Sequence, residues 1–207
     1  MKMNRRNFLK VAAILGGGAF ASIFKLGNVW ACEKTAVTES IFIPAQILED
    51  MKQHARELAP QECCGILGGQ ECNVSEQYRI TNVLATMTDQ ELSRFEGAKL
   101  SDLKQLPPEE RMEIAFQMDV REMALAQRDL RSQGLSVVGF YHSHTFSPAR
   151  PSHTDITIAM EFERYRTQLN LPEPFHLVIS LEDPTEPDIR AFRIRNFQTK
   201  EATIIRI

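Results

Sequence analysis

The feature that most constrains the fold is the run of residues that ends in His142-Ser143-His144. Residues 135 to 141 are rich in β-branched and aromatic side chains, which predicts a strand that the two histidines extend. Residues two apart in a strand point to the same face. The two imidazoles are therefore expected to converge on one point.

A serine and an aspartate follow this strand at short range. Pro148 and Pro151 stiffen the loop, and the change from polar to apolar residues after Ser152 predicts a helix with Asp155 in its first turn. Two imidazoles and one carboxylate form the ligand set of a catalytic zinc, whose fourth position is kept for water. The same Ser-x-x-Asp pattern is also a capping box, which is the purely structural alternative.

Together these positions resemble the motif of the JAMM (MPN-type) zinc metalloproteases: His-x-His, seven residues, Ser, two residues, Asp. A fifth match is Glu62, in a segment from Pro60 to Gly68 that is similar to the one carrying the catalytic glutamate of that family. The similarity covers roughly residues 41 to 195.

The resemblance implies a role for each matching residue. One Zn²⁺ per chain would be bound by His142, His144 and Asp155. Glu62 would then act as the general base, and Ser152 would stabilise the oxyanion or merely cap the helix.

The sequence departs from the family after the second histidine, where relatives usually have proline and this chain has Thr145. Threonine restores a backbone N–H and loosens the exit of the loop, so metal geometry or substrate access could differ. Thr145 is not a ligand position. His153, beside the motif, either supports one of the metal ligands or is a solvated side chain, and the solvated interpretation is favoured.

Strands interleaved with helices predict an α/β fold, a three-layer α/β/α sandwich around a mixed β-sheet, which the resemblance also implies. The domain is expected to span residues 41–207. The His-x-Glu and Pro-Cys-x-x-Cys motifs of zinc deaminases are absent, and so is the His-Glu-x-x-His of thermolysin-like enzymes.

The first half of the domain is predicted to contain one helix and two strands. Pro44 suits the first turn of a helix that runs to Ala59, and His54 is expected to lie on its solvated side. An apolar run from Cys63 to Leu67 predicts a buried strand, and Gly68-Gly69 predicts the turn into the next strand.

Residues 85–115 mix helix formers with Gly97 and Pro107-Pro108. They are longer than the corresponding connection in compact relatives, so they are interpreted as an insertion. Such a segment is either a lid or partner-binding element, or a mobile loop. Asp119 then caps a further helix.

Residues 1–31 resemble a twin-arginine signal, since Arg5-Arg6 precede a modest apolar run that contains three glycines. Residues 32–40 would be a short linker. Export to the periplasm or cell envelope follows from this interpretation. An uncleaved membrane anchor, or cleavage before Cys32 with lipidation of that cysteine, is the alternative.

The charge of the remaining chain argues against nucleic acid as a partner. The leader holds five basic and no acidic residues, so without it the formal charge changes from −3 to −8. A body that acidic, with no basic run, does not suit a nucleic-acid surface.

The cysteines leave two readings open. A bridge from Cys72 to Cys63 or to Cys64 is compatible with an oxidising compartment, and buried free thiols are the other reading.

The predicted function is hydrolysis of a peptide or isopeptide bond through a zinc-activated water, at the C-terminus of a ubiquitin-like protein or on another peptide. An exported amidase or peptidase on cell-envelope peptides is the alternative with the same chemistry. A non-catalytic MPN-type binding module is the alternative from another class, although such modules typically lose the ligands or the glutamate. The sequence does not determine the oligomeric state.

Overall fold

The computed structural model describes residues 40–93, 97–169 and 171–207; the predicted signal and Cys32 lie outside them. The elements in chain order are β1 (Ser40–Ile43), α1 (Ala45–Leu58), β2 (Cys64–Gln70), β3 (Asn73–Ile80), a 3₁₀ turn (Leu84–Thr86), α2 (Asp89–Leu92), α3 (Gly97–Gln105), α4 (Pro108–Arg111), α5 (Val120–Ser132), β4 (Ser136–His144), α6 (His153–Leu169), β5 (Phe175–Ser180), β6 (Asp188–Arg195) and β7 (Gln198–Arg206).

The strands form one mixed sheet in the order β3-β2-β4-β5-β6-β7-β1. The pairs β4–β5 and β1–β7 are parallel, whereas β2 is antiparallel to both β3 and β4. The sheet curls until β1 meets β3 through a single residue pair, Phe42 with Asn73. The predicted mixed sheet is confirmed.

Helices cover both faces of this sheet. On one face α1 packs on a cluster that includes Tyr141 and Leu177. On the other face α5 packs over Ile66, and α6 packs over Val178. Apolar side chains on successive strand residues therefore find a partner on either side, which is the predicted three-layer α/β/α arrangement.

His54 on α1 is not solvated, contrary to the sequence prediction. Its side chain is 5% exposed, and Nδ1 lies 2.9 Å from the Tyr141 hydroxyl. Gln77 donates a second hydrogen bond to that hydroxyl at 2.9 Å. The polar neighbours of His54 in sequence do not reveal this burial, because its partner comes from a strand far along the chain.

Gly68 and Gly69 do not form the predicted turn; both lie inside β2, which ends at Gln70. A Cβ on Gly68 would come within 2.1 Å of the Leu130 side chain, and one on Gly69 within 1.9 Å of the Asn73 carbonyl oxygen. The strand register also shifts there. Glycine is therefore needed because the backbone of β2 lies close to its neighbours at a β-bulge. Glu71, with a positive φ of 54°, lies at the turn instead.

The described part of the predicted insertion is helical and has an apolar cluster of its own. Leu84, Leu92 and Leu103 are fully buried, and Met112 and Ile114 pack against the same cluster. A capping box at Thr88 starts α2. The described residues of the insertion therefore pack around this cluster. The C-terminal end of the insertion reaches the site described below.

Cys63 and Cys64 are buried free thiols, whereas Cys72 is disulfide-bonded. Bridges from Cys72 to these two residues are therefore wrong, and the alternative prediction of buried free thiols is confirmed for Cys63 and Cys64. In the described residues, no helix is long and apolar enough to cross a membrane.

Candidate active site

The two histidines lie at the end of β4, in the middle of the sheet. Cys64 of β2 and Val178 of β5 flank His142, and Ser180 of β5 flanks His144. Both imidazoles are buried. The alternation of the strand places them on one face, as the spacing predicted, and the neighbouring strands fix the backbone that carries them.

Asp155 is brought to the histidines by the start of α6. The backbone N–H of Ser152 donates to Asp155 Oδ2 at 2.7 Å, and the N–H of Asp155 donates to Ser152 Oγ at 3.2 Å. This reciprocal pair is the predicted capping box. The structural and functional readings of the motif are thus compatible, because the cap also orients the carboxylate.

Three potential ligand atoms form a small triangle. His142 Nε2 lies 3.1 Å from His144 Nε2, and Asp155 Oδ2 lies 3.5 Å and 3.4 Å from the two nitrogens. A tetrahedral zinc with bonds of about 2.0–2.2 Å has ligand–ligand edges of about 3.3–3.6 Å. Within the part of the chain that the structure describes, this is the one group of histidine, cysteine and acidic residues arranged to hold a metal.

The hydrogen bond on the far side of His144 fixes its tautomer. Nδ1 lies 3.1 Å from the Pro148 carbonyl oxygen, which can only accept, so Nδ1 carries the proton and Nε2 presents a lone pair. His144 Nε2 and Asp155 Oδ2 are then two acceptors that face each other. A cation at the centre of the triangle would satisfy both, so the donor set fits zinc.

The charge state of Asp155 suits a metal ligand. Burial alone would raise the pKa of this carboxyl, but attraction to His142, together with hydrogen bonds from His142 and Ser152, outweighs it. The pKa is therefore held well below its usual range. Asp155 is an ionised carboxylate at neutral pH, as coordination requires.

Glu62 lies in the short segment between α1 and β2, and its side chain is 6% exposed. Its backbone N–H donates to the Met112 carbonyl at 2.7 Å, and Asn82 Nδ2 donates to its carbonyl at 3.1 Å. The same Asn82 amide reaches the Ala115 carbonyl at 3.2 Å. The end of the insertion thus holds the backbone of Glu62.

The candidate site opens into a cleft of about 230 Å³, smaller than the ~300–1,000 Å³ of most drug-sized pockets. Glu62, His144, Ser152 and Asp155 all line it. The structure therefore brings together the predicted ligands, base and oxyanion donor. A cleft of this size suits a short stretch of chain around one bond.

The walls of the cleft come from two parts of the chain. Residues 113–116, at the end of the insertion, form one wall. Phe146, Thr154 and Ile158 form the other, and the Phe146 side chain is 73% exposed. Apolar side chains at the mouth can contact a molecule that enters the cleft.

The thiols next to Glu62 are chemically inert. Burial raises the pKa of Cys63 to about 12, and burial likewise raises the pKa of Cys64 well above its usual value. Both thiols are protonated at neutral pH, so neither supplies a thiolate nucleophile or ligand.

Sequence reasoning missed Phe116 and Asn82. The ring of Phe116 stacks on His142 at 4.6 Å between centroids, and Asn82 bridges Glu62 to the insertion. Phe116 begins the stretch Phe116-Gln117-Met118-Asp119, whose similarity to the family pattern is the signal that could have pointed to it. His153, in contrast, is exposed, as the favoured reading predicted.

A family model described as prokaryotic homologs of the JAB domain matches residues 44–195. Proteins named CysO-cysteine peptidase, from Mycobacterium bovis and Mycobacterium tuberculosis, are 27% identical over 154 residues, which cover 74% of this chain and 82% of theirs.

The solution structure of protein DSY2949 from Desulfitobacterium hafniense is similar in fold. It has a TM-score of 0.57 and 29% sequence identity, and the match covers 81% of this chain and 92% of that one.

Proposed function

Since this chain belongs to the family of prokaryotic homologs of the JAB domain, we propose that it is a zinc-dependent metallopeptidase. The observation that carries the proposal is the convergence of His142, His144 and Asp155 in a cleft that Glu62 and Ser152 also line. A binding-only module has no need of a base and an oxyanion donor beside the metal ligands.

The three ligands would hold one zinc ion, which would lower the pKa of a bound water and polarise the scissile carbonyl. Glu62 would accept the proton of the attacking water and deliver it to the leaving amine nitrogen. Its burial, and the two hydrogen bonds that hold its backbone, limit where the carboxylate can lie in the cleft.

Ser152 has a second task in this proposal. Its oxygen accepts the N–H of Asp155, so its hydroxyl proton stays available for donation into the cleft. Donation to the developing oxyanion would stabilise the transition state more than the ground state.

The proposed substrate is the amide bond at the end of a small protein. The mycobacterial relatives are named CysO-cysteine peptidase, which supports a peptidase that releases cysteine from a larger partner. A cell-envelope peptide is the alternative, and export by the twin-arginine route would favour it. The chemistry in the cleft is the same for both.

Metal analysis and a cleavage assay together test the proposal. We expect one zinc per purified chain, and a loss of zinc in His142→Ala, His144→Ala and Asp155→Ala, with His153→Ala as the matched control that keeps it. The zinc-loaded protein should cleave a CysO-cysteine conjugate or a cell-envelope peptide. Unchanged zinc in all three ligand variants would refute the site, and full zinc without cleavage of either probe would favour the binding module.

A further inference from the structure

We propose that Thr145, the residue at which this chain departs from its family, is a positioning residue for Glu62; the inference rests on the proposed function. The Thr145 hydroxyl donates to the carbonyl of Pro60 at 2.8 Å. A proline at position 145 could not make this hydrogen bond. The departure therefore adds a connection between the histidine strand and the segment that carries Glu62.

A second connection lies on the other side of Glu62. The backbone N–H of Cys63 donates to Ser143 Oγ at 2.8 Å, and the N–H of Ser143 donates to the Cys63 carbonyl at 3.0 Å. Glu62 thus lies between Pro60, which is hydrogen-bonded to Thr145, and Cys63, which is hydrogen-bonded to Ser143. Ser143 and Thr145 alternate with the two histidines along the chain.

These two contacts explain how Glu62, eighty positions before His142, can be placed relative to the ligands. Glu62 precedes β2, so no strand pairing fixes it directly. Ser143 holds Cys63, which follows Glu62 and leads into β2, whereas Thr145 holds Pro60, which precedes Glu62 and follows α1. Two backbone hydrogen bonds support the same segment. The Gln61 N–H donates to the Leu58 carbonyl at 2.9 Å, and the Glu62 N–H donates to the Met112 carbonyl of the insertion.

The proposal predicts a particular pattern of kinetic change. Because proton transfer depends on the place of the carboxylate, Thr145→Val should lower kcat about two- to tenfold, the size of one neutral hydrogen bond. KM and zinc content should stay near wild type. Thr145→Ser, which keeps the hydroxyl, should restore kcat.

A matched control is available on α6. Thr167 Oγ1 donates to the Glu163 carbonyl at 2.9 Å, away from the cleft, so Thr167→Val removes a similar bond without touching Glu62. A wild-type kcat in Thr145→Val, equal losses in Thr145→Val and Thr167→Val, or failure of Thr145→Ser to restore the rate would each overturn the positioning role.

Amide hydrogen exchange separates this inference from the proposed function. The Glu62 and Cys63 amides should exchange faster in Thr145→Val than in wild type and in Thr167→Val, whether or not a substrate has been found. Unchanged exchange at both amides would contradict the inference. If exchange rises but the wild-type protein cleaves none of the probes, the positioning contact stands and the peptidase proposal fails.

Discussion

Ser143 and Cys63 exchange two hydrogen bonds across the centre of the molecule. The Ser143 hydroxyl accepts the Cys63 N–H at 2.8 Å, and the Cys63 carbonyl accepts the Ser143 N–H at 3.0 Å. Both residues are fully buried. The residue between the two histidines therefore ties the end of β4 to the segment of Glu62.

Ser143→Ala should destabilise the protein. The substitution leaves the buried Cys63 N–H without its acceptor, which costs about 1–3 kcal/mol of unfolding free energy. Urea denaturation measures this loss. Ser132→Ala is the matched control, since the Ser132 hydroxyl donates to the Asp129 carbonyl at an exposed site. Equal stability of the two variants would contradict the role of Ser143.

The stability of the protein should fall as the pH drops from about 6.5 towards 4. Burial, followed by the charge of Arg79, lowers the pKa of His54 from 6.5 to about 4, although Glu57 acts in the opposite direction. Between those values the unfolded chain binds the proton and the folded chain does not, so acid favours unfolding. Burial also lowers the pKa of His176 to about 4, with the same sign.

Denaturation midpoints measured across this pH range test the role of His54. In His54→Gln the midpoint should be lower at pH 7, because the bond to Tyr141 is altered, and should depend less on pH. The exposed His153→Gln is the control and should keep the wild-type slope. A His54→Gln variant with the same slope as wild type would show that another group causes the acid sensitivity.

Ser152 is predicted to cap α6 and to assist the reaction, and two substitutions separate these roles. Ser152→Ala and Ser152→Gly both remove the hydroxyl, so both should lower kcat about a hundred- to a thousandfold if it stabilises the oxyanion. Alanine at a helix N-cap costs ~0.5–2 kcal/mol of stability, whereas glycine costs only a few tenths. If kcat falls in Ser152→Ala but not in Ser152→Gly, the rate follows the loss of stability and not the loss of the hydroxyl. Ser152 would then act only as a helix cap.

Some of the site follows from local pattern, and some depends on contacts that no local pattern contains. The period of two in a strand placed His142 and His144 together, and the helix start placed Asp155 beside them. The place of Glu62 was expected only from family resemblance. Its backbone partner Met112 comes from the insertion, where the sequence shows no clear periodicity.

The errors have the same origin. His54 was expected in solvent because its helical neighbours are polar, but the buried partner Tyr141 is distant in sequence. Gly68 and Gly69 were expected in a turn because glycine favours turns, yet they are needed where β2 passes close to Leu130 and to β3. Tertiary contacts decided both cases.

Export by the twin-arginine route remains a prediction from the paired arginines at positions 5 and 6. Replacement of Arg5 and Arg6 by lysine should retain the precursor on the cytoplasmic side, because that route reads the arginine pair. Cell fractionation gives the result. Arrival of the double variant across the membrane through the general secretory route would show that the leader is of another kind.

The most direct test of the account is the comparison of Glu62→Gln with the wild-type protein, measuring zinc content and hydrolysis of a confirmed substrate in the same preparations. Glutamine keeps the size of the side chain and the backbone bonds to Met112 and Asn82, but it cannot accept a proton. The account predicts full zinc, an intact fold and a rate lower by on the order of a hundred- to ten-thousandfold. Hydrolysis by Glu62→Gln at near the wild-type rate would contradict it.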